Sequence, residues 1–448
     1  MHRIAPPHNP QQGGLFSGPL PPLPPAFLGT TTKSSSARAN AGFAADYALT
    51  FAPASALLAF RENLTYPATP QGKHLERYAL QSAARSIIPD SRTASCLRSV
   101  RPDATSVPVR LSPSTKRARY ANLQVCGSVW RCPVCAAKIS DQRRRELLHI
   151  MDAHKAAGGR IYLLTLTFPH SDRDRLADLL KSLKKAEEQF KSGRAWAAIQ
   201  RDFGLIGTAR AVECTFGKNG WHPHAHHLVF TTGSIDTDAF KNVVFDKWHK
   251  ACTISGLGSP TLEHGIDVRD GAKAADYVAK FGLEDTPKVK EWGLENELTK
   301  WHSKKGRGSS VTPFDFLRIA LQSDDAKITA QARSKFKEYA EAFHGKRQLV
   351  ISPKLKKLYP IEEKSDDEAA GDIREDDITL ARFTLTGWRE ILRLNLRGEV
   401  LLVAQDGDAE KLHRYVMDRA GVSHTFDSIF MEVRQELDEE AIRALIDE

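Results

Sequence analysis

The stretch that decides the fold is residues 208–230, which read TARAVECTFGKNGWHPHAHHLVF. Residues 208–216 and 221–230 are both rich in β-favoured residues. The Gly-Lys-Asn-Gly run at 217–220 between them is a strong hairpin signal. The sequence therefore predicts two antiparallel strands joined by a tight turn.

The second strand carries three histidines that point to the same face, because side chains alternate along a strand: His222, His224 and His226. A turn at Lys218-Asn219 places Glu213 opposite His224, and a turn at Asn219-Gly220 places it opposite His226, with paired Cβ atoms about 5 Å apart. Imidazoles and a carboxylate on one face predict a divalent metal site with open positions, suited to Mn²⁺, Mg²⁺ or a later transition metal. The alternative is an exposed histidine-rich strand that binds nothing.

The elements around this hairpin follow a regular order. We expect a strand from Arg160 to Phe168, helices from Asp172 to Lys191 and from Ala195 to Asp202, the hairpin, a helix from Asp236 to Ile254, a strand from Thr261 to Val268 and a helix from Gly271 to Phe281. This order predicts an α+β fold with a ferredoxin-like, RRM-like antiparallel sheet of four or five strands and helices on one face.

Four of the six cysteines fall within 40 residues of one another: Cys96, Cys126, Cys132 and Cys135. The spacing of Cys132 and Cys135 is typical of a tetrahedral Zn²⁺ site, which Cys126 and Cys96 could complete. The alternative is a set of ordinary buried cysteines. Cys214 and Cys252 fall in a predicted strand and helix, where we expect them in the core.

The predicted helix at 271–281 places Tyr277, Lys280 and Lys273 on one face. Two flanking ammonium groups favour the phenolate, so the pKa of Tyr277 should fall from its usual value of about 10. A phenolate near a divalent metal and lysines is equipped to attack a phosphodiester. Taken alone, the pattern also fits a tyrosine packed on the sheet between solvated lysines.

Composition and charge divide the chain further. Residues 361–448 hold 23 acidic and 11 basic side chains, a net of −12, so residues 1–360 carry 9 + 12 = +21, which favours a nucleic-acid partner. We expect a disordered Pro/Gly/Ser-rich N-terminus, a zinc module, a domain that contains the histidine strand and a basic extension, an acidic linker and a small, mostly helical C-terminal domain (1–70, 93–139, 140–350, 351–377 and 378–448). The sequence lacks a membrane-length apolar run and a signal-peptide pattern, which predicts a cytoplasmic protein.

With these features in this order, the chain resembles plasmid rolling-circle replication initiators (Rep proteins) of the HUH endonuclease superfamily. Three family motifs match residues 164–167 (Leu-Thr-Leu-Thr), 222–226 (His-Pro-His-Ala-His) and 277–280 (Tyr-Val-Ala-Lys). The cysteine module before the first motif is similar as well. The resemblance covers roughly residues 95–320.

The resemblance implies that Tyr277 attacks a phosphodiester in a single-stranded or extruded origin loop. A 5′-phosphotyrosine link forms, and host polymerase extends the released 3′-OH. His224 and His226, with Glu213, would hold Mn²⁺ or Mg²⁺, and His222 is an extra candidate. The expected partners are thus origin DNA and the host helicase and polymerase, and we expect no association with a membrane.

The chain departs from its relatives at two positions near the tyrosine. Phe281 replaces a second aromatic hydroxyl that many relatives carry, which favours one nucleophile. Lys273 stands where some relatives have a carboxylate that helps to end replication, so the termination step stays open. The alternative functions are a rolling-circle transposase, a non-catalytic zinc-containing DNA-binding regulator, and a zinc hydrolase acting on small molecules.

Overall fold

The computed structural model describes residues 52–271, 310–371, 376–421 and 423–432. The chain divides into residues 1–43, which lie outside the described residues, and residues 44–448, which contain every element below. The helices are α1 (Ala54–Phe60), α2 (Pro70–Ile87), α3 (Arg92–Ser95), α4 (Pro133–Ala156), α5 (Leu176–Phe190), α6 (Gly193–Asp202), α7 (Thr237–Ser255), α8 (Pro313–Gln322), α9 (Ala326–Ala342), α10 (Pro353–Leu358), α11 (Asp366–Gly371), α12 (Leu385–Arg393), α13 (Arg397–Ala404), α14 (Ala409–Ala420) and α15 (Phe426–Ile429). The strands are β1 (Val107–Ser112), β2 (Arg117–Tyr120), β3 (Arg160–Leu166), β4 (Leu205–Gly217), β5 (Gly220–Thr231), β6 (Ile266–Asp270), β7 (Leu349–Ile351), β8 (Ile378–Phe383) and β9 (Phe430–Met431).

The larger of two antiparallel sheets has the strand order β6-β3-β5-β4-β7. Along the chain, the strands β3, β4, β5 and β6 and the helices between them follow each other in the predicted order. In the sheet, β5 lies between β3 and β4. The α+β class with antiparallel sheets is therefore confirmed. The strand β7 extends the sheet beyond the predicted elements.

The β4–β5 hairpin pairs Gly217 with Gly220, so its turn consists of Lys218 and Asn219. Glu213 consequently lies opposite His224, the first of the two predicted registers. Gly220 has a φ of 78°, and a Cβ there would come within 2.8 Å of the Asp172 Cα atom. A glycine is required at this position both for its backbone conformation and for this close approach.

The larger sheet is covered by helices on both faces, so the expectation of helices on one face is wrong. α5 and α7 pack on one face, where Leu180 and Trp248 join the core. α4 packs on the other face, where Leu147 and Ile150 contact the half of β5 that ends in Phe230. The i, i+3 spacing of these two residues gives α4 an apolar stripe that the sheet buries.

The sequence also predicts a helix from Asp141 to about Lys155 with Ser140 as its N-cap, but α4 begins earlier, at Pro133. Its N-cap is Cys132, whose sulfur accepts from the Cys135 backbone N–H, and Pro133 occupies the first turn. Ser140, the predicted N-cap, is instead fully buried inside the helix and hydrogen-bonded to Gln348. A proline at the first helical position is favourable, because its missing N–H has no partner to lose there.

The smaller sheet has the order β2-β1-β8-β9 and joins distant parts of the chain. β8 pairs with β1, with Val109 opposite Ala381. The described part of the segment predicted as a C-terminal domain, with its strands β8 and β9 and helices α12–α15, thus shares a sheet with residues 107–120.

The segment predicted as an acidic linker makes specific contacts within the described residues. The Asp377 carboxylate pairs with Arg119, and the Asp376 carboxylate accepts hydrogen bonds from Ser112 and Ser114. Asp366 in α11 lies 2.7 Å from Arg143 of α4. None of the described helices combines the length and the apolarity that crossing a lipid bilayer requires.

Candidate metal centres

Glu213, His224 and His226 are brought together on the α4 face of the sheet, beyond the part that α4 covers. Each offers a ligand atom, and these atoms lie within 4.8 Å of one another. The Glu213 Oε2 atom is 3.4 Å from His226 Nε2 and 3.9 Å from His224 Nε2. Two imidazole nitrogens and a carboxylate oxygen converging in this way could hold a divalent cation.

Neighbouring groups orient both imidazole rings towards this point. The Nδ1 atom of His224 donates to the His222 carbonyl oxygen at 3.3 Å, which leaves the lone pair on Nε2. The Nδ1 atom of His226 lies 3.0 Å from the Thr165 hydroxyl. Its Nε2 atom is buried and makes no hydrogen bond to any described residue. A buried nitrogen without a hydrogen bond, beside a carboxylate, fits a cation bound between them.

The electrostatics keep His224 available as a ligand. Burial, together with the charge of a protonated His226, lowers the pKa of His224 to about 3, although Glu213 acts in the opposite direction. His224 is therefore neutral at pH 7, and its contact with Glu213 is not an ion pair. A neutral imidazole is the form that binds metals.

The structure places His222 next to this trio rather than within it. Its Nδ1 atom lies 3.3 Å from Nδ1 of His170, and its ring lies 5.0 Å from that of His224 between centroids. Burial and the neighbouring His170 lower the pKa of His222 to about 4. The sequence offered no signal for His170, which lies in the loop after β3.

The first family motif has a visible structural role. Thr165 in β3 is directly opposite His226 and contacts its ring. Thr167 donates its hydroxyl to the His264 carbonyl oxygen, and its own carbonyl accepts from the Trp248 indole N–H at 2.8 Å. The two threonines thus support the histidine strand and hold the loop before β6.

The second group consists of four buried cysteines: Cys96, Cys126, Cys132 and Cys135. The Sγ atom of Cys135 lies 3.4 Å from that of Cys96 and 3.6 Å from that of Cys126, and the Cys96 and Cys132 sulfurs are 3.8 Å apart. Four sulfurs about 2.3 Å from one tetrahedral zinc ion lie about 3.8 Å from each other. The buried group could therefore hold a metal such as zinc.

The backbone turns sharply after two of these cysteines. Leu97 and Gly127, which follow Cys96 and Cys126, have φ values of 51° and 55°. This left-handed conformation is uncommon for leucine, and it is held here by a hydrogen bond from Leu97 N–H to the Gln124 carbonyl at 2.8 Å. The other two cysteines open α4, where the positive end of the helix dipole favours thiolates.

Residues 117–251 match the family model described as "Replication protein". A curated relative, "Protein rep" of Streptomyces lividans, is 28% identical over 383 residues, which cover 72% of this chain and 75% of the relative. Both matches support a Rep-type replication protein. Part of it is also similar to "Neomycin resistance protein" of Streptomyces cyanogenus, 32% identical over 136 residues, or 25% of this chain and 31% of that protein. No solved structure matches the chain.

The replication-protein match contains the trio and three of the four cysteines. Cys96 precedes the matched residues, and it is assigned to the cysteine group because its sulfur lies close to that of Cys135. Tyr277, Lys280, Lys273 and Phe281 lie within 272–309, outside the described residues. Sequence reasoning also missed Gln81, which donates to the Cys132 sulfur, and Arg397, which donates to Gln81; neither belongs to a motif.

Proposed function

We propose that this Rep-type protein initiates plasmid replication by nicking one strand of origin DNA, as rolling-circle initiators of the HUH endonuclease superfamily do. The observation that carries the proposal is the trio on the sheet, where Glu213, His224 and His226 converge and the Nε2 atom of His226 is buried without a hydrogen bond to a described residue. The strand order β6-β3-β5-β4 supports a ferredoxin-like core for the nicking domain.

In this proposal the trio holds Mn²⁺ or Mg²⁺ against the scissile phosphate. The ion polarises a phosphoryl oxygen when it is bound. Glu213 and the two imidazoles set its position, and Thr165 keeps the His226 ring from turning. His222, which contacts His170, is an additional candidate ligand if either ring rotates.

The proposed nucleophile is Tyr277. Its phenolic oxygen forms a bond to phosphorus while the bond from phosphorus to the 3′ oxygen breaks. The tyrosine proton passes to solvent, and the departing oxygen takes up a proton to become a free 3′-OH. Lys280 offsets negative charge as it grows on the phosphate.

The length of chain between β6 and the tyrosine is compatible with this role. β6 ends at Asp270, seven residues before Tyr277, and seven residues span at most about 25 Å. β6 is two strands from β5, a separation of about 10 Å. The end of β6 lies level with Val229, three residues or about 10 Å along β5 from His226. The chain from Asp270 is long enough to cover both separations, which is compatible with Tyr277 approaching the trio.

We also propose zinc at the four cysteines, in a structural role. In this proposal its site precedes the nicking domain along the chain, and burial raises the pKa of the Cys132 thiol. Four thiolates in an apolar interior need a cation to offset their charge. Such thiols stay reduced in the cytoplasm, which is the proposed location of the protein. Its proposed partners there are origin DNA, host helicase and host polymerase.

The proposal is tested with full-length protein and labelled single-stranded DNA containing the plasmid origin. We expect cleavage with Mn²⁺, none with chelator, and none with Tyr277→Phe, which should still bind the DNA. Tyr415→Phe is the matched control, since the Tyr415 hydroxyl contacts Glu399 in the C-terminal segment. Salt-sensitive binding without cleavage by the unaltered protein would favour the DNA-binding regulator.

A further inference from the structure

Arg397, the first residue of α13, is fully buried. Its Nη1 atom donates to the Gln81 side-chain oxygen at 2.6 Å and to the Leu97 carbonyl at 3.2 Å. Its guanidinium carbon lies 5.2 Å from the centre of the Tyr78 ring. Across the described residues, no carboxylate forms an ion pair with it. Burying a charge with only neutral partners is costly unless an opposite charge lies close by.

The hydrogen bonds of Arg397 lead to the cysteines. Gln81, whose oxygen accepts from Arg397, donates its side-chain N–H to the Cys132 sulfur at 3.2 Å. Leu97, whose carbonyl also accepts from Arg397, is the residue after Cys96. A single residue therefore links the guanidinium to each of two cysteines: Gln81 links it to Cys132, and Leu97 links it to Cys96.

Other buried positive charge in the protein is handled differently. Arg318 is held by the Glu76 carboxylate through two hydrogen bonds of 2.7 and 2.8 Å, and by Asp315 at 2.9 Å. Arg397 instead donates to the Gln81 amide oxygen, the Leu97 carbonyl and the Ser82 hydroxyl, none of which is charged. Among the described residues it lacks the carboxylates that surround Arg318.

Four thiolates around one divalent zinc ion carry two net negative charges. We propose that Arg397 is the buried counter-cation of a zinc–tetrathiolate centre formed by Cys96, Cys126, Cys132 and Cys135, and that Gln81 links the two. This inference rests on the zinc proposed above. It makes the C-terminal segment that carries Arg397 part of the metal centre's surroundings, so zinc and this segment stabilise each other.

The first test measures zinc affinity by competition with a chromogenic chelator, in full-length protein. Arg397→Met should weaken zinc retention by about tenfold or more, as loss of partners around metal ligands commonly does. Arg318→Met is the matched control. It removes another buried arginine of the same chain, so it should lower the Tm and leave zinc affinity within about twofold of the unaltered protein.

The second test uses Gln81→Glu, which supplies a carboxylate to Arg397 without zinc. The difference in Tm between the zinc-loaded and chelator-treated protein should shrink in this variant, because its metal-free form gains an ion pair. The Tm measurement on Gln81→Glu still tests the role of Arg397 if the Arg397→Met variant does not fold.

Three outcomes would overturn the inference. They are unchanged zinc affinity in Arg397→Met, equal weakening of zinc retention by Arg397→Met and Arg318→Met, and an unchanged Tm difference in Gln81→Glu. An unaltered protein that binds no zinc would overturn the zinc proposal as well, which separates the two failures.

Discussion

At the scale of single residues, the trio has a neighbour that allows a matched comparison. Glu213→Gln and His226→Gln each remove a ligand, so nicking should fall by about 100-fold or more, and Mn²⁺ affinity should fall with it. His222→Gln alters the same face but not the trio, so it should retain most activity. Nicking rates at several Mn²⁺ concentrations measure both effects.

An equal loss of nicking in His222→Gln would show that the ligand set extends to His222. If both trio variants still nick DNA, the proposal that a metal bound at the trio assists nicking is wrong.

His74 makes the stability of the protein depend on pH. Burial, with the nearby charge of Arg77, lowers its pKa from 6.5 to about 4, and its enclosed Nε2 atom has no hydrogen-bond partner among the described residues. The unfolded chain therefore binds a proton that the folded chain resists. The resulting stability is present above pH 6.5 and is lost between pH 6.5 and 4.

His74→Gln should remove part of this acid sensitivity. At pH 5 the histidine should account for about 1–2 kcal/mol of lost unfolding free energy relative to pH 7. Urea unfolding of both proteins at the two pH values measures the difference. Identical losses in the two proteins would show that His74 does not contribute.

The residues of the site were predictable to different degrees. The alternation of side chains along β5 and the hairpin were enough to put Glu213 on the histidine face. The sequence left open whether it lies opposite His224 or His226, and the structure places it opposite His224. The role of Gln81 was not predictable, because its contact with Cys132 depends on how α2 packs against α4, which no local pattern encodes.

At the scale of elements, Gly127 is the most constrained turn of the cysteine group. Its φ is 55°, and an added Cβ would meet the Asp367 carboxylate and lie 3.2 Å from the Asp367 backbone nitrogen, so both the conformation and the space oppose a side chain. Gly158, after α4, has a φ of 83° and open space around it. Gly127→Ala should therefore lower the free energy of unfolding by about 1–3 kcal/mol, more than Gly158→Ala does.

Chemical unfolding of the two glycine variants tests this difference. A larger loss in Gly158→Ala would mean that the turn after Cys126 is not under the constraint described.

The elements themselves were predictable where a pattern was local. The hairpin follows from its turn residues, and α7 begins within one residue of its predicted start at Asp236, which is its N-cap. α4 was predicted too short, because Cys132 and Pro133 were assigned to a metal turn, whereas they also start a helix. A residue can serve both roles, and the spacing alone does not reveal it.

At the scale of the whole molecule, the second sheet could not be predicted. β1 and β8 are separated by more than 260 residues, and short strands carry no signal of their partner. This pairing implies that the C-terminal segment is required for stability. Truncation after Gly371 removes β8 and Arg397, so it should lower the Tm and reduce bound zinc.

Thermal unfolding and zinc content of the truncated chain measure that dependence. A truncated protein with the Tm and zinc content of the full chain would show that the segment folds separately, as the sequence suggested.

The central claim is that Tyr277 attacks DNA with the help of the metal at the trio. The most direct measurement incubates the protein with labelled single-stranded origin DNA and Mn²⁺, isolates covalent protein–DNA product on a denaturing gel and maps the linkage by mass spectrometry. We predict a metal-dependent phosphotyrosine at Tyr277, absent in Tyr277→Phe and with chelator. A linkage at another residue, or cleavage that persists in Tyr277→Phe, would contradict it.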